Sequence, residues 1–185
     1  MPRTKPTSPS SSTSATNESA LLADQLRRAF EGDAWHGPAL LELLADIDAP
    51  TAAMHAIKDI HSIWELVLHI AAWDDAVNRR IVLGKALHLR DEENFPPVKD
   101  KSSAEWKKAV DHVKKAHKQL LMTVEGLPDQ RLTEQVPGKT YNIRFMLEGV
   151  AQHELYHAGQ IAILKQARTY TGNRGRTPDV RLHCS

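Results

Sequence analysis

Apolar residues recur along this chain with a period of three to four, and nowhere with a convincing period of two. Leu21, Leu22, Gln25, Leu26 and Ala29 mark a first helix near 20–31. Gly32 interrupts it, and Pro38 fits the first turn of a short piece over 38–45, which carries Leu40, Leu41, Leu43 and Leu44. Residues 46–61 read as a connection with room for one helical turn after Thr51. Ser62, with Glu65 three residues on, has the spacing of a capping box. It opens a helix over 62–84 striped by Ile63, Leu66, Val67, Ile70, Val77 and Ile81, with Gly84 at its end. After a linker containing Pro96 and Pro97, Ser102 and Glu105 repeat the capping pattern. The next helix, 103–125, carries Trp106, Val110, Val113, His117, Leu120, Leu121 and Val124. Pro137-Gly138 signals a type II turn. Asn142 then caps a last helix over 142–167, striped by Ile143, Met146, Leu147, Val150, Ile161 and Leu164.

Four long amphipathic helices joined by extended connections predict an all-α four-helix bundle, with enough connecting chain for a crossover. The sequence divides into a Ser/Thr/Pro-rich tail, 1–17, expected to be disordered; a helical domain, 18–170; and a C-terminal extension, 171–185. At 185 residues and 41% hydrophobic content the chain supports one domain with a full core. The formal net charge of +1, spread over mixed signs, argues against nucleic acid or an anionic membrane as partner. No apolar run approaches bilayer length. A lone cysteine, Cys184, excludes an internal disulfide and fits a reducing, cytoplasmic setting.

Ten histidines are the outlying count. His153 and His157 lie four apart on the apolar stripe of the last helix, so both imidazoles share one face and can share one metal. His69, between Leu66 and Trp73 on the second long helix, is placed to supply a third ligand from a facing helix. A buried imidazole needs partners for both nitrogens, and a cation relieves two or three of them at once. His36, at a helix junction, and Glu154, Tyr156 and Gln160, beside the pair, are candidates to support the site. His55, His61, His88, His112 and His117 read as surface or edge residues, with His117 the one best placed for burial. No catalytic residue is assigned.

His153-Glu154-Leu155-Tyr156-His157 also matches H-E-x-x-H, the zinc-protease helix in which the Glu is general base. No Glu follows Glu154 to complete such a site, and Ile163 stands where the extended motif needs its third His. The protease remains the alternative reading, beside a non-enzymatic, metal-binding dimeric stress protein.

Taken together, Trp35-His36-Gly37-Pro38, the segment His61-Ser62-Ile63-Trp64-Glu65-Leu66-Val67-Leu68-His69-Ile70-Ala71-Ala72-Trp73, and His153-Glu154-Leu155-Tyr156-His157-Ala158-Gly159-Gln160-Ile161 resemble the DinB-like/YfiT-like superfamily over about residues 20–168. The resemblance implies a four-helix bundle with a crossover, often a homodimer. It implies one divalent metal ion, whether zinc, nickel or manganese, on His69, His153 and His157. It also implies either hydrolysis of a small molecule or S-transfer dependent on a low-molecular-weight thiol. Three imidazoles leave a divalent ion with open positions, able to acidify a bound water or thiol.

Overall fold

The structure, a computed structural model, describes residues 17–172, with side chains described through residue 167. The predicted N-terminal tail lies outside the described residues except for Asn17, and so does the C-terminal extension beyond residue 172. The described chain is all-helical. Its elements are α1 (Glu18–Phe30), α2 (Leu40–Leu44), α3 (Ala49–Ala52), α4 (Ile63–Leu83), α5 (Asp91–Asn94), α6 (Ser103–Glu125), a 3₁₀ turn at Asp129–Thr133, and α7 (Ile143–Gly172). The only β-type pairing among the described residues is an isolated bridge between Gln135 and Asn142.

Local chemistry sets the ends of the long helices. The Ser62 side chain accepts from the Glu65 amide while Glu65 accepts from the Ser62 amide at 2.7 Å, the reciprocal box that starts α4. Gly84 ends α4 at φ +57°, a left-handed cap that costs little without a Cβ. Ser102 caps the Glu105 amide at the start of α6, but Glu105 turns to Lys108 instead of closing the box. Asn142 accepts from the Phe145 amide at 2.9 Å and starts α7. The Pro137-Gly138 turn forms as expected, with Lys139 N donating to Val136 O and Gly138 at φ +74°.

Some predicted boundaries move. Pro38 precedes α2 instead of entering it, because Ala39 is the cap residue. The short turn expected after Thr51 begins at Ala49, because Asp48 accepts from the Thr51 amide. Two short elements, α5 and the 3₁₀ turn, occupy stretches read as linkers, since a single turn leaves no periodic signal. Leu21, counted in the first stripe, is exposed.

α4 packs on α6 and α7, and α1 packs on the same two helices. The interior they enclose falls into two apolar clusters. One gathers Trp64, Val67, Ile70, Trp106, Val113 and Ile161 with Phe30 and α2. The other gathers Leu22, Leu26, Val77, Leu120, Val124, Leu147 and Val150. On α4, α6 and α7 alike, the point where one cluster gives way to the other is a buried polar residue: Asp74, His117 and Glu154. No helix of the described residues is long and apolar enough to cross a membrane.

Leu120 has no exposed surface, so Leu120→Ala is expected to cost about 2–5 kcal/mol in urea unfolding. Ser62→Ala should cost about 1 kcal/mol through the lost cap. Met122→Ala, on the exposed face of α6, should change stability by less than about 0.5 kcal/mol.

Candidate metal centre

α4 and α7 place three imidazoles against one another. His69 Nε2 and His157 Nε2 each lie 3.0 Å from His153 Nε2. The outer nitrogens of two of the rings are tied. Asn94 O at the end of α5 lies 2.7 Å from His69 Nδ1, and Gln160 Oε1 lies 2.6 Å from His157 Nδ1. Both partners are acceptors, so each Nδ1 carries the proton and each Nε2 presents a bare lone pair to the cluster. His153 Nε2 can donate to only one of the two. At least one of the two 3.0 Å contacts therefore has no proton along it unless a cation stands among them. Nδ1 of His153 is buried and has no partner among the described residues.

Ring packing holds His69 in place. Phe95 stacks on His69 at 4.0 Å and, on its other face, on His61 at 4.0 Å. Trp73, one turn along α4, donates from Nε1 to the Asn94 side chain at 2.8 Å. Asn94 thus fixes both the proton on His69 and the wall beside it. Neither Asn94 nor Phe95 was a sequence candidate, because both belong to a short loop turn whose partners lie more than twenty residues away.

Burial is the main reason all three imidazoles hold protons weakly. It lowers His69 to about 4, against the raising effect of the Asn94 carbonyl, with His157 and His61 lowering it further. It lowers His153 to about 3, helped by His157 and His69. His157 is also lowered by burial, opposed by its hydrogen bond to Gln160. Near neutral pH the cluster is uncharged, the form in which histidine binds a metal.

Glu154 is not part of this cluster. The helix turns about 100° between His153 and Glu154, and the Glu154 carboxyl is fully buried on another side of α7. There His117 Nδ1 donates to Glu154 Oε1 at 2.9 Å, and Asp74 Oδ2 lies 3.7 Å from the same nitrogen. His117 stacks on Phe30 at 3.8 Å. Burial alone would lower His117, but Asp74 and Glu154 outweigh it and raise it to about 9. Burial pushes Glu154 up to about 8, with the Asp74 charge adding to the rise and His117 opposing it. Asp74 is raised as well, by burial first. An ionised pair plus one retained proton offsets the charges of this triad, while His117 Nε2, Glu154 Oε2 and both Asp74 carboxyl oxygens have no hydrogen-bond partner among the described residues. The H-E-x-x-H reading fails on this placement, because its general base would have to face the imidazoles.

The other supporting candidates separate. Gln160 touches the site through His157. Tyr156 is largely exposed at the pocket rim, its ring 5.0 Å from that of His157. His36 is exposed and lines a different depression with Trp35, Gln152 and Leu155, so it does not support the imidazoles. His112 pairs with Asp75 at 3.0 Å on the exposed side of α4.

A cavity of about 410 Å³ opens onto the three imidazoles. Its walls are largely apolar, formed by Trp73, Val77, Phe145, Met146 and Val150. That size and lining suit a small organic molecule.

An all-helical protein with a cluster of three neutral histidines beside an apolar cavity is a candidate metal-dependent small-molecule protein. A sequence model of the DinB superfamily matches residues 33–161, and the chain belongs to that superfamily. No curated protein and no solved structure matches it.

The triad gives the fold a pH signature. His117, with a folded pKa near 9 against an ordinary 6.5, adds stability that is complete below about pH 6.5 and lost as pH rises through 9. Glu154, raised from 4.5 to about 8, acts in the same direction, because the unfolded chain ionises first. Urea midpoints are therefore expected to fall between pH 6.5 and 9, and Glu154→Gln should make that fall shallower. An unchanged slope in Glu154→Gln would contradict the assignment.

Proposed function

We propose that the chain is a metal-dependent enzyme acting on a small molecule, with His69, His153 and His157 as ligands of one divalent ion, whether zinc, nickel or manganese. The observation that carries this reading is the convergence of three uncharged Nε2 atoms, with two of the opposing Nδ1 protons engaged elsewhere. The donor set fits the ion: three neutral imidazoles, no competing carboxylate, and an open side toward the cavity. A divalent ion held there supplies Lewis-acid polarisation and lowers the pKa of a bound thiol or water.

The chain's own residues do the rest. Asn94 and Gln160 hold the imidazoles of His69 and His157 in the tautomer that points Nε2 inward. Trp73, Val77, Met146 and Val150 keep the cavity apolar, which strengthens any polar interaction made inside it. Glu154 is committed to His117 and reaches no reacting group. Tyr156 offers a hydroxyl at the rim. With no Ser, Thr, Cys, Lys, Asp or Glu lining the cavity among the described residues, the reacting nucleophile in this reading comes from outside the chain. A low-molecular-weight thiol suits that role and favours S-transfer over hydrolysis, because an imidazole-bound ion accepts a soft ligand readily. The chain functions as a homodimer in this reading.

Metal analysis of purified protein tests the ligand set. The chain should hold about one equivalent, His153→Ala and His157→Ala should lose most of it, and His112→Ala should retain it. Gln160→Leu should weaken metal affinity by about 10–100-fold, the usual effect of removing an orienting partner. For the chemistry, small thiols titrated into the cobalt-loaded protein should produce a thiolate-to-metal absorption band. No band, together with metal-dependent turnover of an ester or amide, would assign hydrolysis instead.

A further inference from the structure

The face of α4 that presents His69 and Trp73 to the cavity continues through Val77 to Arg80. Arg80 is 4% exposed. No carboxylate pairs with it among the described residues. Its only hydrogen bonds there run from Nε and Nη2 to one acceptor, Leu87 O, at 3.3 and 2.8 Å. Nη1 has no hydrogen-bond partner among those residues. A guanidinium is permanently charged, and burying one without a counter-ion is costly. Among the described residues, the buried Asp74 and Glu154 by contrast each lie within ion-pair distance of His117.

Along the helix axis Arg80 is roughly 16 Å from His69 by rise alone. Its side chain folds back, however, and places its guanidinium carbon 5.4 Å from the centre of the Trp73 ring. The Trp73 ring is in turn 5.9 Å from the His153 ring. One tryptophan therefore separates the guanidinium from the candidate metal ligands, and all three line the same cavity. Arg80 is the only Lys or Arg among the lining residues.

We propose that Arg80 is the anion anchor of this cavity, and that the molecule bound there is a small organic carboxylate with an apolar body: the carboxylate on Arg80, the apolar part along Trp73, Val77 and Met146, and the reacting end at the three imidazoles. This rests on the site reading above for the identity of the reacting end, while the anchor itself does not depend on a metal. A carboxylate completes the buried guanidinium with charge-assisted hydrogen bonds, for which Nη1 is free. An uncharged ligand of the same shape would leave the cation unpaired and gain only the apolar contact. The anchor also sets polarity: an anionic molecule bound through Arg80 can present only its opposite end to the imidazoles.

The test compares two probes of equal shape, 3-phenylpropionate and its neutral amide, by titration calorimetry on the full chain, both as purified and after EDTA treatment. The carboxylate should bind about tenfold or more tighter than the amide, and the preference should persist without metal. Arg80→Gln should abolish it, with metal content unchanged. No preference in the wild-type protein overturns the proposal without recourse to any variant. So does a preference that vanishes with EDTA, which would make the carboxylate a metal ligand, or one that survives in folded Arg80→Gln. Metal content of the wild-type chain is read separately. Protein that prefers the carboxylate but binds no metal keeps the anchor and sinks the metal site; protein that binds metal without preference does the reverse.

Discussion

The rest of the site depends on where Glu154 is held. Its carboxyl is fully buried, accepts from His117, and lies beside Asp74, so α6 and α4 both fix the rotation of α7 at that residue. His153 is one residue away and His157 three, and on a helix their directions follow once that of Glu154 is set. Asp74 plays the same part on α4, five residues beyond His69. A single polar layer between two apolar clusters thus sets the rotation of both helices that meet at the imidazoles. Slipping either helix would bury Asp74 or Glu154 in hydrocarbon without its partner, a cost of several kcal/mol. Apolar stripes alone tolerate such a slip far better.

The two polar groups beside the α4–α7 contact are opposite in character. In the triad, carboxylates surround one imidazole and hold its proton tightly, so charge and counter-charge cancel inside the protein. In the metal centre, imidazoles face only one another, and burial strips their protons instead. In the first arrangement the charges offset one another within the chain. In the proposed reading the second takes a cation, and Arg80 on the same cavity takes an anion. A cavity that lacks one charge of each sign, about a tryptophan apart, is suited to a ligand that bridges them.

Much of this was legible in the sequence, and most of the parts that were not share a cause. The four long helices follow from three-to-four periodicity and from caps whose chemistry is local, such as Ser62 with Glu65 and Asn142 with Phe145. The His153/His157 pair follows from spacing within one helix. The role of Glu154 was not legible, because its neighbours in sequence offer only a motif, whereas its partners, His117 and Asp74, lie 37 and 80 positions away. Asn94 and Phe95 were missed for the same reason: each acts on a residue brought near only by the packed fold, whereas Arg80 acts on Trp73 of its own helix and nothing in the sequence marks its burial. A buried His or Asp in the middle of an apolar stripe was the available signal. His117 and Asp74 both carry it, and Asp74 sits five residues from a candidate ligand on the same helix.

The most direct test of the central claim is X-ray absorption spectroscopy on the purified, metal-loaded chain. The account predicts three imidazole nitrogens at about 2.0–2.1 Å for zinc, with the multiple-scattering pattern of intact rings. The same spectrum should survive in Glu154→Gln and change in His69→Ala. A shell dominated by carboxylate oxygen or by sulfur in the absence of added thiol, or one that is indifferent to His69, would contradict it.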